Sequence, residues 1–222
     1  MQALYQAERS PIEIGGSQVA YQTFASGKRF LQGGSAANDT TAACRMVDLT
    51  NLSRVGFRGQ DAAAYLSAHG FELPQQPNQA VQQDDGCWVM RLSLTEYCVL
   101  GSLKDFGERV SQLEQAWQMD ERANYLLTRQ DSHAWILVSS AHIAEIMAKL
   151  CAVDLRPEVF PVGQIAQTSV ARINAMVTNV SDQQATKFNI LCDRAAALYL
   201  WEVLQDAIQE FDGKIVGIDG LL

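Results

Sequence analysis

The chain has 222 residues, 48% of them hydrophobic and 19% charged, with a formal net charge of −8. That composition suits one or two globular domains with a sizeable core and excludes a disordered chain. The acidic balance, with no Lys/Arg cluster, argues against nucleic-acid backbone binding. No purely apolar run, Ala134 to Val138 among them, comes near the roughly 20 residues needed to cross a bilayer. The beginning, M-Q-A-L-Y-Q-A-E-R-S, has no basic stretch followed by an apolar one, so it does not read as a secretory signal. Five widely spaced cysteines (Cys44, Cys87, Cys98, Cys151, Cys192) form no C-x-x-C and read as reduced, mostly buried thiols of a cytoplasmic protein. Neither they nor His69, His133 and His142 show metal-ligand spacing, so no metal site is expected.

Residues 1 to 45 are rich in Gly, Ser and Thr and read as an N-terminal arm or extension, with a hairpin-like excursion at Ile14–Phe24. Regular structure begins after that. A strand at Ser53–Arg58, with Leu52, Val55 and Phe57 alternating, is broken by Gly59 and followed by a helix at Gln60–His69. A loop from Leu73 to Asp85 leads to strands at Cys87–Ser93 and Glu96–Leu100. A helix at Asp105–Met119 follows, with Phe106, Val110, Leu113 and Trp117 on one face and Asp105-x-x-Glu108 as an N-cap pairing. A strand at Asn124–Thr128 completes β-α-β-β-α-β, the ferredoxin-like order.

The order then repeats. Trp135–Val138 is a strand, and Ser140 caps a helix with the stripe Ile143, Ile146, Met147 and Leu150. A proline-containing loop precedes strands at Ser169–Val177 and Thr186–Cys192. Asp193 caps a long helix carrying Ala197, Trp201, Leu204, Ile208 and Phe211; Gly213 ends it, and Ile215–Ile218 is a last strand. The fold class is therefore α+β, with a first unit at 46–129 and a second at 130–222. The Trp201 stripe fits either a core or a partner-facing surface.

Three separated stretches carry a family resemblance: D-L-T-N-L-S-R-V-G-F-R-G-Q-D-A-A-A-Y-L, C-A-V-D-L-R-P-E-V-F-P-V-G-Q-I-A-Q-T-S-V-A-R-I and R-A-A-A-L-Y-L-W-E-V-L-Q-D-A. With these, residues 45 to 212 resemble the gamma subunit of heterotetrameric sarcosine oxidase, within the wider folate-binding aminomethyltransferase superfamily. The resemblance implies two tandem βαββαβ units packed in the aminomethyltransferase manner. It also implies a cytoplasmic complex of sarcosine catabolism with alpha, beta and delta partners, in which flavin and NAD sit on the partner subunits. This chain would carry no cofactor or catalytic group of its own and would scaffold the flavoprotein subunits. Alone, it could form a homo-oligomer.

The alternative implied by the superfamily is a stand-alone tetrahydrofolate-binding or aminomethyl-transfer protein, with Tyr97, Thr168 and Arg172 around a pterin. Relatives often carry G-Q-E-x-x-x-R in the second unit. Here Gln167 and Arg172 match, but Thr168 stands where the Glu would be, and a neutral hydroxyl cannot make a carboxylate's charge-assisted bond to a pterin.

The remaining candidates carry weaker signals. Asp84 and Asp85 precede Gly86 and suit either acid–base work or an ordinary turn, the turn being the commoner use. Glu96 adjoins Tyr97, whose ring suits a ligand or a cross-strand pair. Arg172 could grip a carboxylate bidentately or sit in an ordinary ion pair. Cys151 follows a helix C-terminus, where a nucleophilic thiol lacks support. His133 and His142 have no patterned partner, and no G-x-S-x-G occurs. The pairs Gly15–Gly16 and Gly33–Gly34 are not part of a G-x-G-x-x-G, so no dinucleotide site is expected.

Overall fold

The structure, a computed structural model, describes residues 9–14, 21–24, 27–32 and 44–221. In chain order the elements are α1 (Pro11–Ile14), β1 (Tyr21–Thr23), β2 (Arg29–Leu31), β3 (Cys44–Asp48), β4 (Arg54–Arg58), α2 (Ala62–Ala68) and β5 (Gln79–Gln82). Next come β6 (Trp88–Arg91), β7 (Glu96–Leu100), α3 (Glu108–Ala116), β8 (Tyr125–Leu127), α4 (Arg129–Ser132), β9 (His133–Ser140) and α5 (Ile143–Ala148). The last are β10 (Ile165–Val170), β11 (Ile173–Asn179), β12 (Lys187–Asp193), α6 (Ala197–Gln209) and β13 (Lys214–Ile215). No helix among the described residues is long and apolar enough to cross a membrane.

The chain divides into two compact units. One holds residues 52–132 and 163–165, and the other holds 1–51, 133–162 and 166–222. The boundaries thus differ from the sequence-based 46–129 and 130–222. Met46, Val47 and Asp48 belong with the C-terminal elements, because β3 hydrogen-bonds to β9 and β13.

The 52–132 unit is an antiparallel sheet in the order β5-β6-β7-β4-β8. It contains the expected four strands plus β5, an extra edge strand inside the stretch read as a loop. One face packs Val55, Phe57, Val89, Tyr97 and Val99 against Ala62, Tyr65, Leu66, Val110 and Leu113 of α2 and α3. The opposite face carries Arg54, which is fully buried. Its Nη1 donates to the carbonyl of Leu52 (3.0 Å) and its Nη2 to that of Gln130 (3.2 Å). Arg129 lies on this face too and donates to Glu96 at 2.5 Å. Gly56 makes room for it, since a Cβ there would come within 2.8 Å of Arg129 Nε.

The R-G-Q-D segment at the end of β4 is a clamp. The Asp61 amide donates to the Ala123 carbonyl (3.0 Å), and Asp61 Oδ2 accepts from the Ala123 amide (2.7 Å). Gly59 sits at φ +138, and any Cβ there would fall 1.9 Å from the Ala123 oxygen. Asp61 thus serves α2 by fixing a distant loop and makes no side-chain cap on the helix itself. At α3, Asp105 lies two residues before the N-cap, yet its carboxylate still accepts from the amides of Gly107 and Arg109, both at 2.9 Å.

The other unit is a six-stranded sheet in the order β10-β11-β12-β9-β3-β13. β3 stands between β9 and the last strand, which therefore pairs parallel to β3. One face packs Met46, Ile136, Val138, Val177, Phe188 and Ile190 against α5 and α6. Trp201, Leu204 and Ile208 of α6 are buried in this core, which settles the aromatic stripe as core packing. Asp193 caps a short 3-10 turn that leads into α6, accepting from the Ala195 amide at 2.7 Å.

The strand expected over Ser169–Val177 is a hairpin instead. Ala171 and Arg172 turn the chain between β10 and β11 with φ of +50 and +67. Two consecutive positive φ values match a type I′ turn, which usually takes Asn-Gly. Neither residue is a turn former, so alternation alone hides the break.

The described parts of the first 45 residues are not an extended arm. Ile12 is buried in the α5/α6 core. β1 and β2 form a hairpin, Tyr21 donates to Asp48 Oδ2 (2.6 Å), and Asn51 Nδ2 donates to the Arg29 carbonyl (2.5 Å). Burial, then the charge of Asp48 and the bond to it, push the Tyr21 phenol well above its ordinary range. Of the excursion expected at Ile14–Phe24, Gly15–Ala20 lie outside the described residues.

All five cysteines are buried free thiols. Burial, reinforced by the charges of Asp85 and Asp105, pushes Cys87 up to about 12. Burial likewise raises Cys98 to about 11 despite the nearby Arg129 and Arg54.

Two predictions follow from these contacts. Gly59→Ala should destabilise the protein by about 3 kcal/mol or more, and Asp61→Ala by about 2 kcal/mol, measured by urea unfolding. The folded thiols keep their protons where an unfolded thiol, with a pKa of 9.0, loses its own. Stability should therefore be level below about pH 9 and fall between about 9 and 12, and Cys98→Ala should reduce the fall up to about pH 11.

Candidate functional site

The residues singled out from sequence separate cleanly by position. Tyr97 belongs to the 52–132 unit. It stands on β7 opposite Phe57 of β4 and is only 1% exposed, with the Arg91 guanidinium 5.5 Å from its ring centre. That is a cross-strand core position. Thr168 and Arg172 belong to the other unit and share the β10–β11 hairpin. Thr168 is half-buried on β10, and its hydroxyl accepts a long contact from the Cys151 thiol at 3.9 Å. Arg172 is exposed at the turn, and its left-handed backbone costs about 1 kcal/mol in a residue with a Cβ.

The acidic candidates are held in structural bonds. Asp85 accepts from the Cys87 amide (2.9 Å) and from Arg109 Nη1 (2.6 Å). Burial pushes its carboxyl up, but those bonds and the Arg109 charge prevail and hold it below the usual carboxylate range. A carboxyl held low is a poor proton acceptor near neutrality. Asp84 is exposed, and its carbonyl accepts from Lys104. Glu96 is the Arg129 partner described above, with Arg58 at 3.8 Å as a second cation.

Cys151 is buried beside the bridge it makes with Val170. His142 bonds Glu145 (2.9 Å) and stacks on Phe211, their ring centres 5.0 Å apart. His133 opens β9 and has contacts of its own. Among the described residues no three His, Cys, Asp or Glu side chains are grouped to hold a metal ion.

What the second family stretch, residues 151–173, builds is a surface. The loop after α5 turns Leu155 and Phe160 inward, Phe160 edge-on to Phe188 at 5.5 Å, and Asn179 Nδ2 holds the Phe160 carbonyl at 2.7 Å. With those residues anchored, Val153, Val159 and Val162 are left outside, the last two more than half exposed. Val153 also lines a groove of about 510 Å³ with Ala144, Glu145, Ala148, Cys151, Asp154, Leu155 and Arg156. Small alanines at i and i+4 on α5 and the exposed valines give this surface its apolar part, beside the charged Glu145 and the Asp154–Arg156 ion pair. Periodicity found the buried side of α5 but gave no sign of this outer side, because valines in a proline-containing loop carry no period.

A chain of the heterotetrameric sarcosine oxidase from Corynebacterium sp. U-96, solved in complex with pyrrole 2-carboxylate, superposes with a TM-score of 0.65 at 19% identity. The match covers 81% of this chain and 94% of that one. Glycine cleavage system aminomethyltransferase T from Bartonella henselae superposes with a TM-score of 0.64 at 14% identity over 91% of this chain; the match spans 56% of the aminomethyltransferase. These likenesses establish the fold as α+β of the aminomethyltransferase type. No curated protein sequence matches the chain. Residues 61–210 match the model of the sarcosine oxidase, gamma subunit family. The chain belongs to the sarcosine oxidase gamma subunit family.

Proposed function

We propose that this chain is a structural subunit of a sarcosine oxidase-type oxidative demethylase, holding the flavin-bearing alpha and beta subunits and a delta subunit together without a catalytic group of its own. Family membership over residues 61–210 carries the reading. The chemistry of the candidate residues supports it. Asp85 and Glu96 serve as ion-pair anchors, Tyr97 and Cys151 serve as core, and the family motif at 151–173 leaves Val153, Val159 and Val162 exposed on its surface. In this reading flavin and NAD belong to the partner chains.

One observation favours a second reading, tetrahydrofolate binding. Arg172 is exposed in a left-handed conformation that a glycine would adopt freely, and it shares a hairpin with Thr168. Strained backbone of this kind collects at ligand sites.

Native mass spectrometry of the protein purified at its natural level from its own cells tests the first reading. The expected result is a large assembly with flavin-bearing chains, and the isolated chain should be colourless and inactive on sarcosine. A lone monomer or homodimer, or a yellow chain with turnover, would overturn it. Calorimetric titration with tetrahydrofolate decides the second reading: tight binding lost in Arg172→Gly would support it, and no heat would dismiss it.

A further inference from the structure

Strand register assembles a row of cations across the six-stranded sheet. Lys214 of β13 is opposite Arg45 of β3, Arg45 is opposite Ser139 of β9, and Ser139 is opposite Lys187 of β12. Residues paired in register project from the same face, so the four side chains line up on the face away from the Met46, Val138 and Phe188 core. Three cations in one row stand out in a chain of net charge −8.

Their charges are not all balanced. Lys187 donates to Asp182 Oδ2 at 2.5 Å, and the other oxygen of Asp182 accepts from the Gln184 and Ala185 amides, both at 2.9 Å. Lys214 has contacts of its own. Among the described residues, no carboxylate lies within ion-pair distance of Arg45. Arg45 is half-buried and lines a groove of about 390 Å³ with Ser139, Asp182, Gln183, Gln184 and Thr186. The Asp182 carboxylate in the groove wall is already engaged by Lys187, next in the row, which leaves Arg45 as the cation there with no carboxylate partner among the described residues.

We infer that this groove receives an acidic side chain from a partner subunit, with the Arg45 guanidinium gripping the carboxylate and the groove's hydroxyl and amide groups completing its hydrogen bonds. A planar guanidinium suits a carboxylate bidentately. The walls offer hydroxyls and amides but little apolar surface, which suits a free small molecule poorly, since such sites are mostly apolar. A carboxylate carried on another chain draws its affinity from the rest of the interface instead. The inference rests on the subunit reading and names one contact within it.

The test is reconstitution of the full complex with wild-type, Arg45→Gln and Arg45→Glu chains, measuring the dissociation constant of this subunit at low and high salt. Arg45→Gln should weaken assembly about tenfold and remove part of its salt dependence, and Arg45→Glu should weaken it further. The Gln variant adds no repulsion, and melting of each isolated variant checks that it folds. Wild-type-like affinity and salt dependence in both variants would overturn the inference while leaving the subunit reading intact. Failure of the wild-type chain to assemble would overturn both. If millimolar inorganic phosphate or acetate stabilised the isolated wild type but not Arg45→Gln, and assembly were unchanged, the groove would be a small-anion site and the inference would fall.

Discussion

The insertion of β3 between β9 and β13 is the constraint on which the larger unit depends. Five residues, Cys44–Asp48, bond antiparallel to β9 on one side and parallel to β13 on the other. Without β3 the two-residue β13 would have no neighbour, and the chain after α6 would lose its place in the sheet. The same five residues supply Met46 to the core and Arg45 to the opposite face. Asp48, at the end of the strand, receives the phenol of Tyr21 and the amide of Thr50, so the N-terminal hairpin is fastened to the sheet through one buried carboxylate. A buried charge is tolerated when its oxygens are hydrogen-bonded, and a phenol and an amide supply those bonds here.

The 52–132 unit solves a different problem. Its sheet buries charge on the face away from the helices: Arg54 is wholly enclosed, and Arg129 reaches Glu96 over the bare backbone of Gly56. Removing one member of such a set leaves the other charge buried and unpaired, so these residues are held by their neighbours more than they stabilise them. Asp61 and Gly59 fix the loop at Ala123 and so the entry to β8. Residues that read from sequence as chemistry are used here to hold strands and loops in place.

The two surface features of the larger unit differ in the kind of contact they offer. The 151–162 loop and α5 present valines and alanines, whose burial would be driven by the hydrophobic effect, interleaved with the charged Asp154, Arg156 and Glu158. The groove beside Arg45 presents that guanidinium and the Lys187-paired carboxylate of Asp182 among hydroxyls and amides, and charge of this kind contributes orientation and partner choice more than bulk affinity.

Sequence by itself determined the elements with strong periods. Val55 and Phe57, the α6 stripe, the β6–β7 pair and the core face of α5 fall where alternation or 3.6-residue spacing puts them, because burial imposes those periods on the chain. The three family stretches were likewise legible as they stood. Tertiary structure alone decided the rest. That β3 joins the C-terminal sheet is a pairing between residues about 90 apart, and no local pattern encodes a distant partner. The Ala171–Arg172 turn lacks the glycine or asparagine that marks such turns, so its strain is imposed by the strands on either side. The row Lys214–Arg45–Ser139–Lys187 draws on four separate segments, and only register brings them side by side. Tyr97 and Glu96, neighbours in sequence, part to opposite faces of one strand, one into the core and one to Arg129, because a strand's side chains alternate.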